Sequence, residues 1–130
     1  QTFSPVMDHL TLAERRTYAL HVLKIQNPQL GEIRFEGDKV FLDWTKLRDI
    51  NGFYKTGLTE LDLSNSRIHS DVIVIKGLPL KKLVWPRSRP GPHMDYLQRC
   101  PTLQEVHFPK EFIDDEILKR VPAHIKVVLY

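Results

Sequence analysis

Six histidines, one cysteine and a run of three carboxylates are the residues whose types could do chemistry, and their spacing decides whether they do. His9, His21, His69, His93, His107 and His124 fall into no HExxH or comparable spacing, in which one helix turn would present two imidazoles to the same ion. No metal ligands are expected. Cys100 is the sole cysteine, which excludes an internal disulfide framework and the multi-cysteine zinc motifs, since both need several thiols. It reads as a small packed side chain rather than a reactive thiol. Asp114, Asp115 and Glu116 stand where a short helix is expected to begin, a place where unpaired amides favour acids. No serine lies in GxSxG and no glycine-rich loop could cradle a phosphate. The expectation is a protein without catalytic residues or a cofactor, and not an enzyme.

Binding is the remaining class. The 19 basic and 16 acidic residues leave a net charge of +3, and they are interleaved without a run of five or six like charges. A nucleic-acid role, which Lys81, Lys82, Arg87, Arg89 and Lys110 would have to carry, is disfavoured on that ground. Hydrophobic residues at 42% and charged residues at 27% are those of a water-soluble globular chain. A length of 130 residues suits one domain with one core. There is no long apolar run and no signal peptide, so no membrane association is expected. With a single cysteine, this favours a cytoplasmic location. The chain begins at Gln1 rather than methionine, which reads as a processed product or a piece of a longer protein.

The elements that must position any binding surface follow from local signals. Thr11 with Glu14 three residues on forms a capping box and opens a helix over 11–25, with Leu12, Ala19, Val22 and Leu23 on one face and Asn27-Pro28 as its stop. Ile33 and Phe35 then alternate against Val40 and Leu42 about Gly37-Asp38, a hairpin pattern. Strand pairs recur after that. Val40/Leu42, Leu61/Leu63, Leu83/Trp85, Val106/Phe108 and Val127/Leu129 are separated by 21, 22, 23 and 21 residues. Leu58, Leu80 and Leu103 precede the middle pairs by three positions, and "YLQRCPTLQEVHF" matches "ILKRVPAHIKVVL" in phase. Ser66, Thr45 and Ser88 each follow a pair by three residues, where hydroxyls can cap turn backbone.

A period near 20–29 residues is that of a strand, a tight turn and a short return. One such coil cannot bury its apolar side alone, so coils stack with their strands parallel and their inward residues merged into one core. The expected fold is α/β: a short solenoid of about five parallel strands over 37–130, capped by the helix and hairpin within 1–36.

Residues alternating with the inward pairs face outward on the concave side. Their first row is Lys39, Glu60, Lys82, Glu105 and Lys126, a ladder of alternating charge. Behind it lie Phe41, Asp62, Val84, His107 and Val128, then Ser64 and Tyr130. An exposed phenylalanine, two valines and a tyrosine make a partly apolar patch that a merely solvated sheet does not need. The rim loop "PRSRPGPH", residues 86–93, adds Arg87 and Arg89.

The stretches "VLKIQNPQLGEIRFEGDKV", "TGLTELDLSNSRI", "IKGLPLKKLVW" and "MDYLQRCPTLQEVHF" resemble the leucine-rich-repeat proteins. More narrowly, they are similar to repeat modules of planctomycete and related bacteria, found alone or joined to serine/threonine protein kinase domains. The resemblance implies a scaffold that binds a protein partner and is a module of a larger protein. No HRD or DFG occurs in the chain itself. The main alternative is an assembly role, in which the strand ending at Tyr130 leaves an open edge and forms a homodimer.

Overall fold

The computed structural model describes residues 9–66, 68, 75, 77–90 and 92–130. His69 and the first eight residues of the expected cap lie outside them.

Helix α1 spans Leu12–Gln26. Its capping box forms as expected: the Thr11 hydroxyl accepts the Glu14 N–H at 3.2 Å, and the Glu14 carboxylate accepts the Thr11 N–H at 2.9 Å. Two otherwise unpaired amides of the first turn are thereby satisfied. Asn27 ends the helix by more than the proline after it. Its Nδ2 donates to the carbonyls of Leu23 and Asp49, both at 2.9 Å, while its Oδ1 accepts the N–H groups of Arg48 at 2.7 Å and Asp49 at 2.8 Å. Every donor and acceptor site of the amide is used, and the residue is 1% exposed. One side chain thus ties the end of α1 to the segment that returns beneath it.

Strands β1 (Arg34–Glu36) and β2 (Lys39–Phe41) form the expected hairpin, with Phe35 opposite Val40. Gly37, at the first position of the two-residue turn, has φ of 62°, which a side-chain-bearing residue would adopt only with strain. Short 3-10 turns at Trp44–Lys46 and Asn51–Phe53 then lead to the main sheet. Gly52 lies against α1: a Cβ there would stand 2.7 Å from Leu23 Cγ, so only glycine allows that approach.

The chain combines these helices with a parallel sheet of four strands among the described residues, in the order β3 (Glu60–Asp62), β4 (Lys82–Val84), β5 (Glu105–Phe108) and β6 (Lys126–Leu129). Their register is the one the sequence period demands. Leu61 pairs with Leu83, Leu83 with Val106, and Val106 with Val127. Parallel neighbours cannot be joined by a tight turn, so each strand is followed by a return. The last two returns contain a 3-10 stretch at Pro92–Arg99 and helix α2 at Asp115–Lys119. The returns bury Leu80, Leu97, Cys100, Leu103 and Ile117 against Leu63, Trp85 and Phe108. Trp85 and Phe108 meet with ring centroids 5.5 Å apart.

Two expectations need correction. The strand expected to begin the parallel stack, Val40–Leu42, is instead the second arm of the hairpin, so five parallel strands become four. Its backbone is satisfied by β1 across a two-residue turn, the shortest loop closure on offer. Leu129, expected to be an inward core residue, is 48% exposed, because it lies on the edge strand with no following layer of described residues to cover it.

Asn27→Ala should lower stability by about 2–4 kcal/mol, since it removes four hydrogen bonds and leaves the Asp49 carbonyl and the Arg48 and Asp49 N–H groups of the junction without this partner, the Leu23 carbonyl keeping only the bond from the residue's backbone N–H. Chemical denaturation measures this. A loss under about 0.5 kcal/mol, the range of an ordinary surface change, would show that the junction is held by packing alone. Gly52→Ala should cost about 1–3 kcal/mol by overpacking Leu23.

Candidate protein-interaction surface

The outward face of the four strands is built by the same register that aligns the core. Glu60, Lys82, Glu105 and Lys126 stand side by side, as do Asp62, Val84, His107 and Val128 one step along. Four of the expected site residues are therefore brought together as neighbours. Phe41 is not among them. It lies on the hairpin, 43% exposed, with the Arg34 guanidinium 4.8 Å from its ring centroid.

Val84 was expected on the exposed surface and is instead 8% exposed. It is a central-strand residue with His107 on one side and Asp62 on the other, so its neighbours cover it. It forms the floor of the face rather than its contact layer. His107 is half-buried and its Nε2 lies 2.5 Å from the Glu105 carboxylate. Residues two apart on a strand share a face, which is why this pair forms and how it could have been read from "EVH". Glu105 is held below the ordinary carboxylate range, first by the hydrogen bond with His107 and further by the charges of His107, Lys126 and Lys82.

Asp62 caps the end of β3: its Oδ1 accepts the Ser64 N–H at 3.0 Å and the Ser64 hydroxyl at 2.7 Å. It stays exposed while it does so. Ser66 caps the next turn as expected, donating to the Leu63 carbonyl at 2.8 Å and accepting from the Ile68 N–H at 3.3 Å.

Tyr130 closes the other end of the face. Its hydroxyl donates to the Trp85 carbonyl at 2.5 Å, and the Arg87 guanidinium lies 5.2 Å from its ring centroid. A side chain that starts beyond β6 and ends at the last residue before Pro86 must cross Pro109, and both prolines are buried. Partial burial accordingly pushes the Tyr130 phenol above its usual range. Arg89 donates to Asp114 at 3.2 Å, and Asp114 in turn accepts the Ile117 N–H at 3.0 Å as the N-cap of α2. The amide of Ile117 and then Arg89 hold the Asp114 carboxyl below its usual range. Both arginines of the 86–93 loop thus have partners inside the protein, while the Arg87 and Arg89 side chains remain on the surface.

The arrangement offers a grid of alternating charge with a shallow apolar floor and an aromatic wall. Among the described residues no three metal-ligating side chains converge. Cys100 is buried, with its thiol pushed up by desolvation. No helix among the described residues is long and apolar enough to cross a membrane. No family model, curated protein or solved structure matches the chain.

Because the folded-state value of Glu105 is depressed, its pair with His107 contributes in full above the unfolded-state value. That contribution is lost as pH falls through the folded-state value, below the ordinary carboxylate range. Melting curves of the wild type and Glu105→Gln should therefore differ at neutral pH and converge in acid. A difference that stays constant through the acid range would remove the pair as its cause. Tyr130→Phe should lose about 1 kcal/mol, the net worth of one partly buried hydrogen bond, in denaturant titrations.

Proposed function

We propose that this chain is a short leucine-rich-repeat solenoid acting as a protein-interaction module, whose partner sits on the outward face of β3 to β6 and against the 86–93 rim. The observation that carries this reading is the in-register parallel pairing of Glu60, Lys82, Glu105 and Lys126. Successive strand-to-strand spacings of 22, 23 and 21 residues lie within the span of such repeats. Repeats of this kind bury one side of every strand and leave the other as an extended surface for a partner.

The chemistry of the face narrows what fits. Glu60 and Asp62 stand on β3, whereas Lys82 and Lys126 stand farther across the sheet. A partner carrying basic residues over β3 and acidic ones over β4 and β6 would be complementary, and complementarity of this sort governs encounter and register more than total affinity. Val128 and the Tyr130 ring supply the apolar contact that a purely charged surface lacks. An interaction role also accounts for a sheet face with ordered side chains and no catalytic set.

Capture and cross-linking from the native source, with each variant's fold checked by circular dichroism, tests the reading. Asp62→Lys and Lys82→Glu should each weaken retention of the same captured protein by about three- to tenfold, the scale of an exposed charge contact. Lys119→Glu, on the return side, should leave it unchanged. Equal capture by the face variants and the wild type would overturn the outward-face assignment.

A further inference from the structure

The charged row across the sheet does not close into a ladder of ion pairs. Glu60, Lys82, Glu105 and Lys126 stand side by side on neighbouring strands, an order of signs that would let each acid join the lysine next to it. Glu105 turns along its own strand instead, its carboxylate 2.5 Å from His107 Nε2. Lys82 and Lys126 act on Glu105 through charge alone, without a hydrogen bond to it. Among the described residues Glu60, Lys82 and Lys126 carry no ion pair.

His107 takes the carboxylate for two reasons. Residues two apart on a strand share a face, so the imidazole reaches Glu105 without any shift of the backbone. It is also half-buried, with Val84 and Val128 beside it in register. Either lysine would have to order a long side chain at the surface, a cost that cancels much of an exposed ion pair. An ionised carboxylate only accepts hydrogen bonds, so His107 donates from Nε2. The consequence is two ammonium groups held in fixed register with no partner of their own.

Lys82 and Lys126 are two strands apart, about 10 Å at about 4.8 Å per strand. Carboxylates that meet both must stand at that separation on one face of the partner. In an α-helix, residues seven apart share a face and lie about 10.5 Å apart along the axis. In an extended chain, same-face residues recur at about 7 Å and then about 14 Å, which fits neither lysine pair nor strand spacing. The middle turn of such a helix would lie over Glu105 and His107, between Val84 and Val128, where an uncharged side chain suits the floor.

The geometry points to a partner that lays an amphipathic helix across β4 to β6, with two carboxylates seven residues apart seated on Lys82 and Lys126. This inference rests on the outward-face reading above and narrows its partner to an acidic helical segment. Glu60 and Asp62 on β3 confine that segment to the other three strands, because they repel a longer acidic face. His107 is a positioning residue here: it acts on the partner by keeping Glu105 away from the lysines.

Titration of the isotope-labelled chain with an alanine-based helical peptide carrying two glutamates seven residues apart tests this by nuclear magnetic resonance. Amide resonances of β4 to β6 should shift saturably. The same peptide with its glutamates nine residues apart, on opposite faces of the helix, should bind about three- to tenfold more weakly, the scale of one exposed charge contact. His107→Val, its fold checked by circular dichroism, should weaken binding by about threefold or more, because the released Glu105 turns to the lysines. Adding Glu105→Gln to that variant should restore the wild-type affinity, which loss of a direct His107 contact would not allow. Absence of a saturable shift, equal affinity for the two peptides, or a double variant as weak as His107→Val alone would each overturn the proposal. The comparison of peptides needs no variant and decides the matter even where His107→Val misfolds. If the peptides fail while Asp62→Lys still weakens native capture, the acidic helix alone is rejected. Native capture indifferent to every face variant rejects the outward-face reading itself.

Discussion

The alignment of inward side chains across β3 to β6 is the constraint on which the rest depends. Leu61, Leu83, Val106 and Val127 lie in one line, and the residue two places on in each strand continues it as Leu63, Trp85, Phe108 and Leu129. A slip of one residue in any strand would turn its apolar pair outward and its charged residues into the core. The returns have to conform to this alignment. Each must climb back over the sheet and drop a leucine or its equivalent behind the strands, which Leu80, Leu103 and Ile125 do. Trp85 is the largest of the fully buried side chains, and its size fixes the spacing between sheet and returns at the middle of the stack.

Described residues cover the sheet at its β3 end, and local chemistry explains how. At the β3 end, α1 and the 43–56 segment fold into a lid because Asn27 joins them with four hydrogen bonds and Gly52 lets the lid approach Leu23. Arg16 adds a bond from its Nε to the Thr56 carbonyl at 2.9 Å. At the β6 end, α2 is short and precedes the strand, so nothing described lies beyond it. Neighbouring returns are tied instead by paired charges, Arg89 to Asp114 and Arg120 to Asp95, each at 3.2 Å. Both pairs are largely exposed, so they orient the returns more than they stabilise them.

Much of this was legible because it is written in local or recurring patterns. The capping box of Thr11 and Glu14, the Gly37-Asp38 turn, the N-cap at Asp114, the burial of Cys100 and Trp85 and the register of four strands all follow from spacing. What escaped notice depends on distances between residues far apart in sequence. Asn27 reads as a helix stop, but its second role needs Arg48 and Asp49 to arrive beside it. Tyr130 reads as an outward aromatic, yet its hydroxyl reaches Trp85, 45 positions away. Val84 alternates correctly for an outward residue, and alternation cannot say that flanking strands will bury it. The β2 segment was ambiguous in principle: "KVF" suits both a hairpin arm and a first parallel strand. The turn after β2 deepens the ambiguity, because Asp43 caps Thr45 as Asp62 caps Ser64, with N–H···O distances of 3.1 and 3.0 Å. Identical turns follow an antiparallel strand and a parallel one.

The same constraint leaves the outward face free to carry the recognition proposed for it. Inward positions are fixed by the stack, and a change at Leu83 or Val106 would be felt throughout the core. Outward positions need only keep register and solubility, so their chemistry is free to vary without loss of the fold. Their positions are nonetheless fixed, since neighbouring strands set side chains about 4.8 Å apart across the sheet. Across β3 to β6 this face presents an acid, a covered valine, an imidazole braced by Glu105 and a second valine. A fixed inward face beside a permissive outward one is the physical condition the proposed binding role would need, and it arises because the residues that specify the fold and those that face outward alternate along the same strands.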